Sequence, residues 1–213
     1  MSMLYEGEVF RPFGPQMYKG KFEHIDMLDE LCKEMRGRID MRNKLAGNLH
    51  EEWLLMLEHH KHEPMLEELM EHCATWEISN RGLTENIRDG LIKTFELMNV
   101  WVNYQHTHDW NPPHNHGGDC SFVIYIDNPV NFKKEDEYDN QKGNTPSAGN
   151  IQFRYGEQHK RSQQMYELTP QRGDIIMFPN WLEHQVFPFM QPDIVRVSVA
   201  GNINIGTEKN MET

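Results

Sequence analysis

The pattern of apolar residues changes near residue 99, and this change limits the fold more than any other feature of the sequence. Before it, apolar residues recur at helical spacing in three stretches, about 22–38, 48–76 and 84–98. After it come short runs rich in β-branched and aromatic residues, separated by Gly, Pro, Asn and Asp, as is typical of strands and turns. These runs are 101–104, 120–126, 150–154, 175–178 and 194–199. We therefore predict an α+β fold in which a barrel or jelly roll of short strands is backed by helices.

The 213 residues are enough for one well-packed core, and no repeat or low-complexity linker divides them. We predict a single domain with three parts. A helical portion, 1–98, packs on a β core, 99–205, and a short tail, 206–213, follows. Within the core, the polar segment 127–149 is predicted to be a long loop, and such loops often cover functional sites.

The charge balance excludes some partners. With 21 basic and 33 acidic residues the net charge is −12, which repels a phosphate backbone, so we expect no nucleic-acid partner. No apolar run is long enough to cross a membrane, and no signal peptide is recognisable, so we expect a soluble cytoplasmic protein without a membrane partner. Cys32, Cys73 and Cys120 are scattered and odd in number, which argues against a disulfide framework or a zinc ribbon.

Three histidines in the β half form a candidate metal site. His114 and His116 are two residues apart, so in an extended segment both imidazoles point to the same side. His184 follows a Gly173–Asp174 turn and an apolar strand that ends at Pro179. A barrel that brings these strands together would place His184 beside the first pair. Imidazole suits iron, zinc, copper and nickel, and three protein ligands leave positions open on the metal, as a catalytic site requires.

Arg196 and Ser198 form a second candidate feature. They share one face of a strand that is otherwise rich in valine and isoleucine, twelve residues after His184. A buried guanidinium needs an anionic partner, and it binds a carboxylate through two hydrogen bonds. An internal salt bridge to one of the many acidic residues is the alternative interpretation.

Together these residues resemble the iron(II)- and 2-oxoglutarate-dependent dioxygenases, from about Trp101 to Asn204. That family folds as a double-stranded β-helix, or jelly roll, and its signature is His-x-Asp/Glu, a later His, and Arg-x-Ser. The chain is most similar to a prolyl-hydroxylase-like branch found in marine bacteria and T4-like phages, in which His-x-His-x-Gly, Ser-Phe-Val-Ile, Gly-Asp and Phe-Pro recur. Residues 43–48, Asn-Lys-Leu-Ala-Gly-Asn, are also similar to the N-terminal part of such phage proteins. A phage-encoded protein would act in the host cytoplasm.

The resemblance implies an enzyme and its cofactors. Fe(II) would be held by His114, His116 and His184, with 2-oxoglutarate as cosubstrate and O2 as oxidant. Arg196, helped by Ser198, would bind the distal carboxylate of 2-oxoglutarate. Asn103, Tyr104 and Tyr125 lie on strands that could face the pocket and hydrogen-bond the cosubstrate, and of these Tyr104 is the contact that we predict. The reaction would be hydroxylation of a protein side chain, prolyl-like, or of a small molecule.

One position departs from the family pattern, because a carboxylate usually stands where this chain has His116. His116 is itself the ligand in the interpretation that we favour. Alternatively, Asp119 supplies the carboxylate after the Gly117–Gly118 turn. In the third interpretation the register shifts, so that His116 is the first ligand and Gly118 takes the carboxylate position, as in halogenating members of the family.

Two other functional classes stay open at the level of sequence. A cupin would use His114, His116, Asp119 and His184 to hold a metal ion without 2-oxoglutarate. A binding module would use the metal for stability alone. The Arg196-x-Ser198 pair separates these classes, because a cupin does not need it.

Overall fold

The computed structural model describes residues 7–10, 14–81, 91–138 and 147–209. Within these ranges there are eleven strands and three helices. The strands are β1 (Gly7–Phe10), β2 (Met17–Lys21), β3 (Glu51–Leu54), β4 (Leu91–Gln105), β5 (Asn111–His114), β6 (Cys120–Asp127), β7 (Ile151–Arg154), β8 (Met165–Leu168), β9 (Asp174–Pro179), β10 (Glu183–Val186) and β11 (Arg196–Lys209). The helices are α1 (Ile25–Met35), α2 (His59–Arg81) and α3 (Phe132–Tyr138).

The strands form two sheets, and all their pairings are antiparallel. The larger sheet has the order β1-β2-β9-β6-β11-β4-β3, and the smaller has the order β5-β10-β7-β8. Two facing antiparallel sheets with crossover connections make a jelly roll. The predicted fold class, a double-stranded β-helix backed by N-terminal helices, is confirmed.

The central strands β6 and β9 are covered on both faces, which explains why their sequences are almost continuously apolar. Alternate side chains go to different sides. Phe122 and Ile124 join the core beneath α1 and α2, whereas Val123 and Tyr125 join the core between the two sheets. The helices thus cover one face of the larger sheet, and the smaller sheet covers the other.

The N-terminal portion contains more strands than predicted. The apolar pattern of 84–98 indicated a helix, but from Leu91 onward this segment is the first half of β4, and 82–90 lie outside the described residues. β4 pairs with β11 from Arg196 to Lys209, and these long-range hydrogen bonds override the local pattern. β11 also takes in the first residues of the predicted tail 206–213. None of the helices in the described ranges has both the length and the apolar character that a membrane crossing requires.

Candidate metal centre

Neighbouring strands of the smaller sheet bring the three histidines together. His184 on β10 lies directly opposite His114 at the end of β5. His116 follows two residues later, and its backbone N–H donates to the carbonyl oxygen of Asn180 at 2.9 Å. The side-chain amide of Asn180 donates in return to the carbonyl oxygen of His116 at 3.0 Å. This pair of bonds holds the segment after β5 against the loop before β10.

The geometry of the cluster fits one metal ion. One ring nitrogen from each of His114, His116 and His184 lies within 4.8 Å of the others. The Nε2 atoms of His116 and His184 are 3.2 Å apart. Two nitrogens bound to one metal at about 2.1 Å lie about 3.0–3.4 Å apart, for bond angles between octahedral and tetrahedral. The rings of His116 and His184 therefore already have the spacing of ligands, and His114 lies close enough to complete the set.

Backbone carbonyls select the ring nitrogens that face the site. His114 Nδ1 lies 2.6 Å from the carbonyl oxygen of Pro112, and His184 Nδ1 lies 3.0 Å from that of Leu182. A carbonyl oxygen only accepts, so each Nδ1 carries the proton. The Nε2 lone pairs of the neutral rings are then left for a metal, as in most protein metal sites with such outer contacts.

Burial keeps the histidines neutral. It lowers the pKa of His116 to about 4, with a smaller contribution from the charge of His114. The pKa of His184 falls well below its usual value for the same reason, assisted by the charges of His114 and His116. Burial also lowers the pKa of His114, although the bond to Pro112 acts in the other direction. Neutral imidazole is the form that binds metals, so all three are ready to do so at neutral pH.

Arg196 lies in the same cavity as the histidines, which has a volume of about 510 Å³. Its side chain is 2% exposed. Nη1 donates to Gln105 Oε1 at 2.8 Å, but Nε and Nη2 have no hydrogen-bond partner among the described residues. The guanidinium lies over the ring of Tyr125, with 4.9 Å from its carbon to the centroid. Burial lowers its pKa, and Tyr125 opposes that effect. Two unpartnered donors on a buried cation fit a carboxylate ligand.

Other polar side chains line this cavity, but Tyr104 does not. Ser198, Asn103 and Tyr125 all face it. The predicted contact of Tyr104 with the cosubstrate stays a prediction, and the position of the side chain does not support it. It follows Asn103 on β4, so it points to the opposite face, where it packs in the core with the Arg36 guanidinium 4.3 Å from its ring centroid. Gln105, which sequence reasoning missed, lies two residues after Asn103 on β4, so its side chain points to the same side and faces the cavity.

The structure does not favour either alternative to His116 as the second metal ligand. Asp119 is exposed and its carboxylate accepts a hydrogen bond of 2.8 Å from the backbone N–H of Ile205. It lines a different cavity, together with Trp181. Asp119 is therefore not part of the cluster. The shifted register would remove His114 from the ligand set, yet its ring lies 4.3 Å from that of His184, centroid to centroid.

The segment 127–149, predicted to be a loop, contains α3. The buried carboxylate of Glu135 accepts hydrogen bonds from the backbone N–H groups of Met190 and Gln191. This contact ties α3 to the loop before β11. Residues 139–146 lie outside the described residues, so a role of the segment as a lid stays a prediction.

Comparison with known proteins agrees with this geometry. A family described as "Putative 2OG-Fe(II) oxygenase" matches residues 99–202, just under half of the chain. No curated protein matches the sequence. A prolyl-4-hydroxylase from Pseudomonas putida is similar in structure, with a TM-score of 0.53 and 10% identity over 88% of this chain and 91% of that one. A viral collagen prolyl hydroxylase from Paramecium Bursaria Chlorella virus-1, solved with 2OG, gives a TM-score of 0.52 and 12% identity over 88% and 94%.

At such low identity the two hydroxylases show the fold alone. The family match carries more, because it spans the three histidines, Arg196 and Ser198. Residues 99–202 of this chain are therefore similar to the 2OG-Fe(II) oxygenase family, site residues included.

Proposed function

We propose that the protein is an Fe(II)- and 2-oxoglutarate-dependent hydroxylase in which His114, His116 and His184 hold the iron and Arg196 and Ser198 hold the cosubstrate. The target would be a protein side chain, with a prolyl residue as the first candidate, or a small molecule. Prolyl residues come first because two proteins of similar fold are named prolyl hydroxylases. Bound iron would supply oxygen activation, with 2-oxoglutarate oxidised to succinate and CO2 as the target is hydroxylated.

The observation that carries this proposal is the buried guanidinium of Arg196. A buried cation with two unpartnered donors is costly in the ligand-free protein. A carboxylate would satisfy both donors, and Ser198 on the same strand face would add a hydroxyl donor. In the ligand-free protein, Gln105 and the ring of Tyr125 position the guanidinium. A cupin has no use for such a residue, so this feature favours the oxygenase over the metal-only alternatives.

The neutral histidines determine the charge of the metal site, and neighbouring aromatic rings limit its access to water. Three neutral imidazoles leave the full 2+ charge on the ion, and a doubly charged 2-oxoglutarate would neutralise it. Phe178 and Phe153 pack against His184, with ring centroids 4.8 and 5.9 Å away. These apolar rings exclude water from the protein side of the metal, which strengthens the electrostatic interactions of the site.

Anaerobic titration of the Fe(II)-loaded protein with 2-oxoglutarate tests the proposal. Chelation of Fe(II) by 2-oxoglutarate is expected to give a weak visible charge-transfer band, and Arg196→Ala to weaken or abolish it. If the wild-type protein binds iron but develops no band and binds no 2-oxoglutarate, the cupin interpretation replaces this one.

A further inference from the structure

Glu52 is a buried acidic side chain that the proposed reaction does not use. It lies on β3 with 0% of its surface exposed, and neither carboxylate oxygen has a hydrogen-bond partner among the described residues. Two other buried carboxylates are satisfied: Asp174 pairs with Lys19 and Lys21, and Glu135 accepts three hydrogen bonds. An unpaired buried carboxylate is costly, so its presence points to a ligand that supplies the missing partner.

The position of Glu52 connects it to the metal centre. Its cross-strand partner on β4 is Asn103, which pairs in turn with Ser198 on β11. Cross-strand partners point to the same face, so Glu52 extends the row of polar side chains that lines the cosubstrate cavity. Glu52 also lines a second cavity of about 930 Å³, whose wall includes His114 and His116. A molecule in this second cavity would contact both the carboxylate and the metal ligands.

The segment before β3 closes over the carboxylate. A Cβ atom at Gly47 would lie 2.5 Å from Glu52 Oε1, so a larger residue here would force the carboxylate to move. Lys44 lines the same cavity, yet no ion pair joins it to Glu52 in the part of the chain that the structure describes. Burial raises the pKa of Glu52 to about 7, with Asp40 and Asp109 adding to the effect and Arg42 opposing it. Among the described residues, no cation therefore pairs directly with the carboxylate.

We propose that this second cavity binds the prime substrate and that Glu52 binds a cationic nitrogen of it, an ammonium or a guanidinium group. This rests on the proposed function. A guanidinium would satisfy both free oxygens through two parallel hydrogen bonds. The indole of Trp101 lines the same cavity and presents an aromatic surface that favours cations. A neutral donor would leave the buried charge uncompensated, and an anionic group would be repelled.

The test compares two small probes that have nearly the same shape and differ in charge. Methylguanidinium and methylurea are titrated by calorimetry into the anaerobic Fe(II)- and 2-oxoglutarate-loaded protein at about one pH unit above the Glu52 pKa of about 7. Methylguanidinium is expected to bind, methylurea is not, and Glu52→Gln is expected to lose about tenfold or more in methylguanidinium affinity. Glu96→Gln, which removes an exposed carboxylate from β4, is the control and should bind like the wild type.

Three outcomes would overturn the inference. Equal binding of the two probes would show that charge is not recognised, and equal binding to Glu52→Gln would place the cation elsewhere. Binding that appears only in Lys44→Gln would identify Lys44 as the internal partner of Glu52. Glutamine has the shape of glutamate, and a charge-transfer band of wild-type intensity in Glu52→Gln would show that the variant is folded at the metal centre.

The same titration without iron and 2-oxoglutarate separates this inference from the proposed function. The Glu52 carboxylate does not need the metal to attract a cation. Methylguanidinium binding to the metal-free protein, together with no charge-transfer band once Fe(II) and 2-oxoglutarate are added, would therefore sink the proposed function and leave the cation site in place. A normal band without methylguanidinium binding would do the reverse.

Discussion

Arg196→Met is expected to cost the protein its affinity for 2-oxoglutarate without unfolding it. Methionine keeps an unbranched side chain of similar length in a position that is 2% exposed. The ligand-free protein would lose one hydrogen bond, from Nη1 to Gln105, and the stacking on Tyr125. It would also lose a buried cation with two unpartnered nitrogens, and replacing buried charge by apolar groups is often neutral or stabilising.

The size of the expected loss in affinity follows from the ion pair that Arg196 would form with a carboxylate of 2-oxoglutarate. Truncating one partner of a buried, hydrogen-bonded charge pair costs about 2–5 kcal/mol of binding free energy. At about 1.4 kcal/mol for each factor of ten, the dissociation constant for 2-oxoglutarate should rise by about 30-fold to about 4000-fold. Iron affinity should not change, because Arg196 is not among the clustered ligand atoms.

Anaerobic titration of the charge-transfer band measures this change, and urea denaturation of the ligand-free variant verifies its fold. Arg154→Met is the matched control, since Arg154 lies on β7 with its side chain 46% exposed and only a 3.8 Å ion pair to Glu183. A well-folded Arg196→Met protein that keeps wild-type affinity for 2-oxoglutarate would refute the reasoning.

Three further predictions concern stability and the support of the metal ligands. Glu52 has a pKa raised to about 7 in the folded protein, so the wild-type protein loses stability as the pH rises from about 4.5 to about 7. Glu52→Gln avoids this loss and should be more stable than the wild type by up to about 3 kcal/mol at pH 8, but not at pH 4. Urea denaturation at the two pH values measures the difference. A constant difference across this range would contradict the assignment. Asn180→Ala removes the hydrogen bond from the Asn180 amide to the backbone carbonyl oxygen of His116. It should weaken metal binding by about 10-fold to 100-fold in a chelator competition assay. Unchanged affinity would show that this bond does not position His116. Phe153→Ala should lower the free energy of unfolding by about 3–5 kcal/mol, because the ring is fully buried, whereas Trp181→Ala, at an exposed position, should change it by about 0.5 kcal/mol or less. Equal effects of the last two would argue against the described core.

The sequence predicted the strands of the jelly roll and the pairing of His114 with His116 because both depend on local patterns. Short β-branched runs with glycine and proline between them indicate strands, and the spacing of two residues puts His114 and His116 on one side. The approach of His184 depended on the barrel topology, which the family resemblance supplied. The structure brings the three rings together as that topology requires.

The structure departs from what the sequence indicated where a pattern had two interpretations or where burial comes from distant parts of the chain. Tyr104 lies one residue from two side chains that face the cavity, and the sequence does not define which parity of β4 faces inward. Leu91 and Phe95 are spaced like a helix, but pairing with β11 makes their segment a strand. Nothing in the local sequence marks Glu52 as buried, because its environment is built by Gly47 and the edge of the larger sheet.

The identity of the atoms bound to iron is the central claim, and X-ray absorption at the iron edge measures it most directly. The Fe(II)-loaded protein at neutral pH should show scattering from three imidazole rings, falling to two in His116→Ala. Two imidazoles and a carboxylate in the wild type, unchanged in His116→Ala, would contradict the three-histidine centre.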